Sequence, residues 1–450
     1  MTSRRLAVAL ALTLLFEIAL FSVLFQHSEL GAHTARAQWL MVLGTPAWVL
    51  TLVLVSRLRL SRRTGALLIL GVSVVFYLIA MTHGPTTSDD DYRYVWDAKV
   101  QLSGTDPYRY PPASPQLTDL REPFLFGAPD HCLHQFPGGC TSINRPTVRT
   151  IYPPVAEAAF AAMRVASFGG HGGHLPLQIA AALGCLLVSA LLLRAGRPVW
   201  QAAVWGWCPV TVVEFANNAH IDWLACLLIV FVFVSTKRTA AIGALVGAAI
   251  AVKLYPALVL PALMRRNWFV AVVAVAFVAL VYVPHVLAVG SDVIGYLPGY
   301  LKENQYGSGE RLLLLGAVLP SPLDTIVGAL LLLGISLWAW LRAPAGEPAR
   351  AAVLVVGVAF CVVTPSYGWY AGMLIVLVAL TGAVEWLPIA FAATFAYLIH
   401  TDHDSQIYFV ALAATLLIAA FRHRDNLRRC LPSSSPTTGP SPSSPSIPRR

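Results

Sequence analysis

Apolar runs separated by short polar breaks recur along most of this chain. They cover Leu6–Phe25, Trp39–Val55, Gly65–Met81, Leu175–Leu193, Val199–Phe215, Ile221–Ser235, Trp268–Val289, Leu323–Leu341, Ala351–Val363, Gly368–Leu380, Leu387–Ile399 and Ile407–Phe421. A bilayer core takes about 20 apolar residues of helix, so each run is read as a spanning helix. The piece Ala240–Leu263 breaks the rhythm. It holds Lys253 near its middle, Pro256 and Pro261 after it, and basic residues at both ends, Lys237–Arg238 and Arg265–Arg266. A re-entrant hairpin turning near Lys253 satisfies both flanks. Pro153 and Pro154 suit the first turn of a shorter helix, Val155–Phe168, read as lying along the membrane interface. The pattern predicts an all-α polytopic membrane protein with about twelve transmembrane helices plus the hairpin.

Composition agrees. The chain of 450 residues is 57% hydrophobic and 12% charged, with mean hydropathy +0.67. A water-soluble fold of this length could not bury so much apolar surface. The formal charge of +9 does not indicate nucleic acid, because the basic residues sit in short segments between apolar runs, as cytoplasmic flanks do. Arg4–Arg5 and Arg57–Arg63 are placed in the cytoplasm by that rule. Ala35-Arg36-Ala37 could pass for a signal-peptidase site, but it lies well past the end of a run longer than a signal core, so an uncleaved first helix is expected. Three crossings then put the long loop His83–Pro154 outside, at the plasma membrane. Residues 1–430 form the membrane domain, and the Ser/Pro-rich tail 431–450 has little to bury and is expected to be disordered.

Charge and aromatic residues concentrate where that loop begins. Ser88–Pro112 carries Asp89, Asp90, Asp91, Asp97 and Asp106, five of the 22 acidic residues, with Tyr92, Tyr94, Trp96, Tyr108, Tyr110, Arg93, Lys99 and Arg109 among them. Capping a helix would explain one of three adjacent carboxylates. The sharper reading is a general base that takes the proton of an attacking hydroxyl. Lys253, in an apolar run, is the leading phosphate-binding candidate, although a lysine snorkelling beside a proline break fits the same spacing. The loop cations Arg93, Arg109, Arg145 and Arg149, with Lys302 further on, are candidates or ordinary surface charges. His220 and Asp222, after Asn217–Asn218, are a polar turn or a group that orients a sugar. Tyr152, Tyr367, Trp369 and Tyr370 read as an interfacial belt or as sugar platforms. Cys132 and Cys140 share the loop C-L-H-Q-F-P-G-G-C, where an external disulfide is favoured over a zinc site with His131 and His134. No metal or cofactor site is expected elsewhere, and no Walker loop, dinucleotide fingerprint or internal repeat is present.

Several stretches together resemble one family. D-D-x-Y-R-Y-x-W-D from Asp89, G-x-x-P-Y-R-Y-x-P from Gly104, T-I-Y-P-P-V from Thr150, the A-H-x-D turn at Ala219–Asp222 and K-L-Y-P-A-L-x-L-P from Lys253 are similar to the polyprenol-phosphate-sugar-dependent glycosyltransferases of the GT-C superfold. The resemblance spans about residues 65–420 and is nearest to glycosyltransferase family 87 and to actinobacterial envelope mannosyltransferases. Asp90 stands 14 residues before Gly104, which looks like the family's spacing from its acidic residue. The resemblance implies Asp90 as base with Asp89 in reserve, and Lys253, Arg93 and Lys302 at the donor phosphate. Tyr94, Trp96, Tyr152, His220, Asp222, Tyr367 and Trp369 are the substrate-binding candidates. The implied donor is a polyprenyl-phosphate hexose, mannose before arabinofuranose, and the implied acceptor a glycan or glycolipid. Asp91, Ala98, Asn217–Asn218, Ile221 and the Cys132–Cys140 insert depart from the pattern and bear on acceptor identity. A lipid-linked-sugar flippase and a non-catalytic envelope scaffold are the competing classes. The flippase would show repeats and several midplane charges, and the scaffold would not need so dense an Asp/Tyr/Arg loop.

Overall fold

In a computed structural model, described for residues 3–26, 35–127, 133–167, 173–235, 238–305, 311–399 and 404–430, the chain is a helical bundle capped at one end by the long first loop. Helices α1 (Ser3–Gln26), α2 (Ala35–Arg57) and α3 (Arg62–Ala80) follow the first three apolar runs. The loop then forms α4 (Asp90–Leu102), a short hairpin of β1 (His134–Phe136) and β2 (Gly139–Thr141), and α5 (Pro154–Ala166). Next come α6 (Leu175–Arg194), α7 (Val199–Gly206), a π-helix at Thr211–Asn217, α8 (Asp222–Val234), α9 (Thr239–Ile250), α10 (Leu260–Met264) and α11 (Phe269–Val289). The last part is α12 (Leu297–Glu303), α13 (Leu313–Gly316), α14 (Leu323–Leu341), α15 (Pro348–Val363), α16 (Ala371–Thr381), α17 (Leu387–Ile399) and α18 (Asp404–Cys430).

Seven described helices, α1, α2, α3, α6, α11, α14 and α18, are long and apolar enough to cross a membrane, and the π-helix with α8 makes a pair bent by 113° that could count as an eighth. This is fewer than the twelve apolar runs. Pro209 interrupts the run at 199–215, because it has no N–H to continue the helix. Helices α15, α16 and α17 are shorter than a span and form the inside of the bundle, and α16 is buried from Ala371 to Leu380. By contrast α11 and α14 leave most of their apolar surface outward, with Leu280, Leu287, Leu330 and Leu341 exposed. In bilayer these surfaces face lipid. Gly243 and Gly247 let α9 meet the backbone of α11, where an added Cβ would lie 2.8 Å from the Val270 carbonyl and 2.7 Å from that of Ala274.

The helix break expected at Lys253 is present: α9 stops at Ile250, and a 3-10 turn at Tyr255–Val259 leads into α10. Helix α5 has 13 residues, too few to cross, and packs between α4 and α6. The tail 431–450, with Cys132, His131 and most of the 401–404 turn, lies outside the described residues.

Candidate active site

The three adjacent aspartates start α4, and successive residues of a helix face about 100° apart. They consequently meet different sets of partners, with Asn144 shared by the first two. Asp89 occupies the cap position without making a cap bond; its carboxylate meets His134 Nε2 at 2.5 Å and accepts from Asn144 Nδ2 at 3.1 Å. Asp91 turns into the protein, fully buried against His174 Nδ1. Asp90 alone of the three combines a cavity-lining position with the Asn144 and Tyr152 side chains: Asn144 Nδ2 donates to its Oδ1 at 2.5 Å and the Tyr152 hydroxyl to its Oδ2 at 3.2 Å. The approach to α4 is pinned from across the chain. Asn217 Oδ1 accepts from Thr86 N at 2.9 Å, Asn218 Oδ1 accepts from Thr87 N at 3.2 Å, and Asn217 Nδ2 donates to the carbonyls of Ala80 and Gly84.

The cavity is about 490 Å³, within the range of ligand sites. Its polar lining carries Asp89, Asp90, Arg93, Asn144, Arg145 and Lys253. The lining also includes aliphatic and aromatic side chains, Leu254, Leu258, Leu297, Leu301, Phe360 and Val363. Lys253 Nζ sits 3.6 Å from the buried Asp222 Oδ2 and 5.0 Å from the centre of the Tyr152 ring. Tyr255 donates to the other Asp222 oxygen at 2.9 Å. Arg93 is held by Asp97, 2.9 Å from Nε to Oδ1, and its Nη1 donates to the Val148 carbonyl. Its Nη2 is buried with no hydrogen-bond partner among the described residues, a donor suited to an anionic ligand. Arg145 makes a two-nitrogen pair with Glu303 of α12, with φ of 45°, a costly backbone for a non-glycine residue that structures keep mainly at functional positions. Arg149 meets Asp292 at 3.0 Å. These pairs tie α12 and the segment before it to the loop that carries Arg145 and Arg149, and Tyr296 and Tyr300 join the cavity lining.

Burial pushes the Asp90 carboxyl above the ordinary carboxylate range; Lys253, Arg145 and the Asn144 hydrogen bond pull it down and Asp89 pushes it up, with burial the larger effect. A raised carboxylate that keeps hydrogen-bond donors is a better proton acceptor than a free one.

Of the residues singled out in the sequence, Asp89, Asp90, Arg93, Tyr152, Lys253, Tyr367 and Trp369 line the cavity. Tyr94, His220 and Asp222 lie directly behind it: the Tyr94 hydroxyl is 3.4 Å from the Tyr152 hydroxyl, and His220 stacks on Trp369 with ring centres 3.9 Å apart. Two are elsewhere. Trp96 is on the far side of α4, buried against Phe126, and Lys302 is exposed on α12 away from the cavity lining. Cys140 is disulfide-bonded. No three His, Cys, Asp or Glu side chains among the described residues are grouped to hold a metal ion. Sequence reasoning missed Asn144, Tyr397 and Glu214. The first stands four positions after Cys140 and carries no local signal; the others come from segments that read as ordinary apolar runs.

No curated protein and no solved structure matches the chain. One family model does, beginning at the T-I-Y-P-P-V stretch and so covering Tyr152, His220, Asp222, Lys253 and α12 but not the acidic start of α4. Residues 150–365 match glycosyltransferase family 87, in agreement with the motif resemblance, and together with the apolar helices this supports a membrane-embedded glycosyltransferase.

Proposed function

We propose that the protein is an inverting glycosyltransferase that moves a hexose, mannose first, from a polyprenyl-phosphate donor to a glycan or glycolipid hydroxyl at the outer face of the plasma membrane. The observation that carries this reading is that one cavity is lined both by a carboxylate with cations and by a set of aliphatic and aromatic side chains. A lipid-linked sugar phosphate has those two halves. Its chain would lie along Leu254, Leu258, Leu301 and Phe360, where each buried methylene contributes about 0.8 kcal/mol. Its phosphate would sit among Lys253, Arg93 Nη2 and Arg145.

In the reaction Asp90 takes the acceptor hydroxyl proton as that oxygen bonds to the anomeric carbon. The carbon–oxygen bond to phosphate breaks on the opposite face, and its electron pair leaves on the polyprenyl phosphate. The departing group gains negative charge, which the cations offset in a site shielded from water. Tyr367 supplies a flat surface for the sugar ring, backed by Trp369, which stacks on both Tyr367 and His220. The outer-face location rests on the basic flanks of the apolar runs.

The test is transfer by purified protein in lipid, from radiolabelled polyprenyl-phosphate mannose to an envelope glycolipid extract. Label in the extract is the expected result. Transfer only from the arabinose donor would change the sugar, and no transfer from any lipid-linked donor would overturn the reading.

A further inference from the structure

The base does not stand alone. Behind Asp90, His220 lies between two carboxylates: its Nδ1 is 3.6 Å from Asp90 Oδ2 and its Nε2 is 3.5 Å from Glu214 Oε2. His220 and Glu214 are both buried, so neither exchanges protons directly with water. Glu214 sits on the π-helix, a rare form that often marks functional positions. Its Oε2 accepts from Asn218 Nδ2 at 3.0 Å, and its carbonyl accepts from His220 N at 3.0 Å. Gly368 leaves the space the carboxylate occupies, because a Cβ there would fall 2.7 Å from Glu214 Oε1. The other groups around the imidazole are the Tyr94 hydroxyl, 3.4 Å from Nδ1, and the Trp369 ring; Lys253 and Asp222 act on it or on Glu214 through space, and Tyr397 lies near Glu214.

We propose that His220 and Glu214 form a buried proton-holding pair behind the base. The proposal rests on the transferase reading above. Glu214 accepts the Nε2 proton and so fixes the tautomer in which Nδ1 is a bare acceptor facing Asp90. When Asp90 takes the acceptor's proton, it passes that proton to Nδ1. The resulting imidazolium then has an N–H for each carboxylate, and Asp90 is a carboxylate again. The proton returns through Asp90 to water after the product leaves. In the structure His220 Nε2 is buried with no hydrogen-bond partner among the described residues, and the 3.5 Å to Glu214 and 3.6 Å to Asp90 must close to hydrogen-bond length when substrate is bound. His220 and Glu214 are thus positioning residues that act through Asp90.

Two measurements test this on the full-length protein in lipid. The first is nitrogen-15 NMR of imidazole-labelled protein, with the His220 signal assigned by its loss in His220→Gln. The expected signal is a protonated Nε2 and a bare Nδ1, with the tautomers mixed in Glu214→Gln. A protonated Nδ1 in the neutral wild-type ring overturns the pair, whether or not sugar is transferred. The second is the rate of transfer. Glu214→Gln should lower kcat about tenfold with donor KM unchanged, and Glu214→Asp should restore part of it. Wild-type kcat in Glu214→Gln overturns the proposal. An equal fall of kcat in both variants assigns Glu214 a purely structural role and also overturns it. The expected tautomer in a protein that transfers no sugar overturns the function read above, and with it the catalytic use of the pair.

Discussion

The polar and the apolar lining of the cavity are built in opposite ways. The polar lining is made of side chains fixed by partners distant in sequence: Asp90 by Asn144 and Tyr152, Arg145 by Glu303, Lys253 by Asp222. The apolar lining is made of Leu254, Leu258, Leu297, Leu301, Phe360 and Val363, drawn from the Lys253 turn, α12 and α15, with no directional bonds among them. A reacting centre needs atoms held within fractions of an ångström, and hydrogen bonds supply that direction. A chain-binding groove needs only apolar area, which is tolerant of exact placement. On the proposed reading the polar lining carries the chemistry and the apolar lining the affinity, and substitutions in either should separate the two.

The largest effect is expected from Asp90→Asn, which keeps the shape and removes the proton acceptor. It should cut kcat about 10²–10⁴-fold with donor KM little changed, measured as initial rates in lipid. Lys253→Met follows, at about 10²-fold in kcat/KM, since it removes the cation proposed at the leaving phosphate and leaves Asp222 buried without its counter-ion. In the apolar lining, Leu258→Asp should raise KM about tenfold for long-chain donors, by putting a charge on the apolar surface, and change kcat little. A donor with a tail of about ten carbons, too short to use that lining fully, should feel it less. Asn144→Ala should move the acid limb of the pH profile upward. The sign follows from the site: Asp90 must be ionised to accept a proton, burial has already raised its pKa, and the Asn144 hydrogen bond holds it down; without that bond the carboxylate protonates at higher pH. Lys302→Ala, on the exposed face of α12, should leave rates within about twofold.

The sequence made the apolar runs legible because α1, α2, α3, α6, α11, α14 and α18 are long and lipid-facing over much of their surface. It read α15, α16 and α17 as spans too, since a short helix buried in protein and a spanning one share the same composition. The break at Lys253 was readable from two prolines and two basic flanks. Within the site, the residues near Asp90 in sequence or in a marked motif were legible, including Tyr152, Lys253 and Trp369. Trp96 was not separable from Tyr94, because a two-residue offset on α4 reverses the face and the sequence does not say which face meets the cavity. Asn144, Glu214 and Glu303 reach the site only by contacts between residues far apart in the chain: 54 positions for Asn144–Asp90 and 158 for Arg145–Glu303. No local pattern encodes those.

The central claim is that Asp90 performs the proton transfer in a cavity that holds the donor independently of it. Single-turnover transfer, with polyprenyl-phosphate mannose bound beforehand to wild type and to Asp90→Asn, tests it most directly. The account predicts equal donor binding in the two proteins, a wild-type burst of labelled product, and none above about one part in a hundred from the variant. A burst of wild-type size from Asp90→Asn with the donor bound would contradict it.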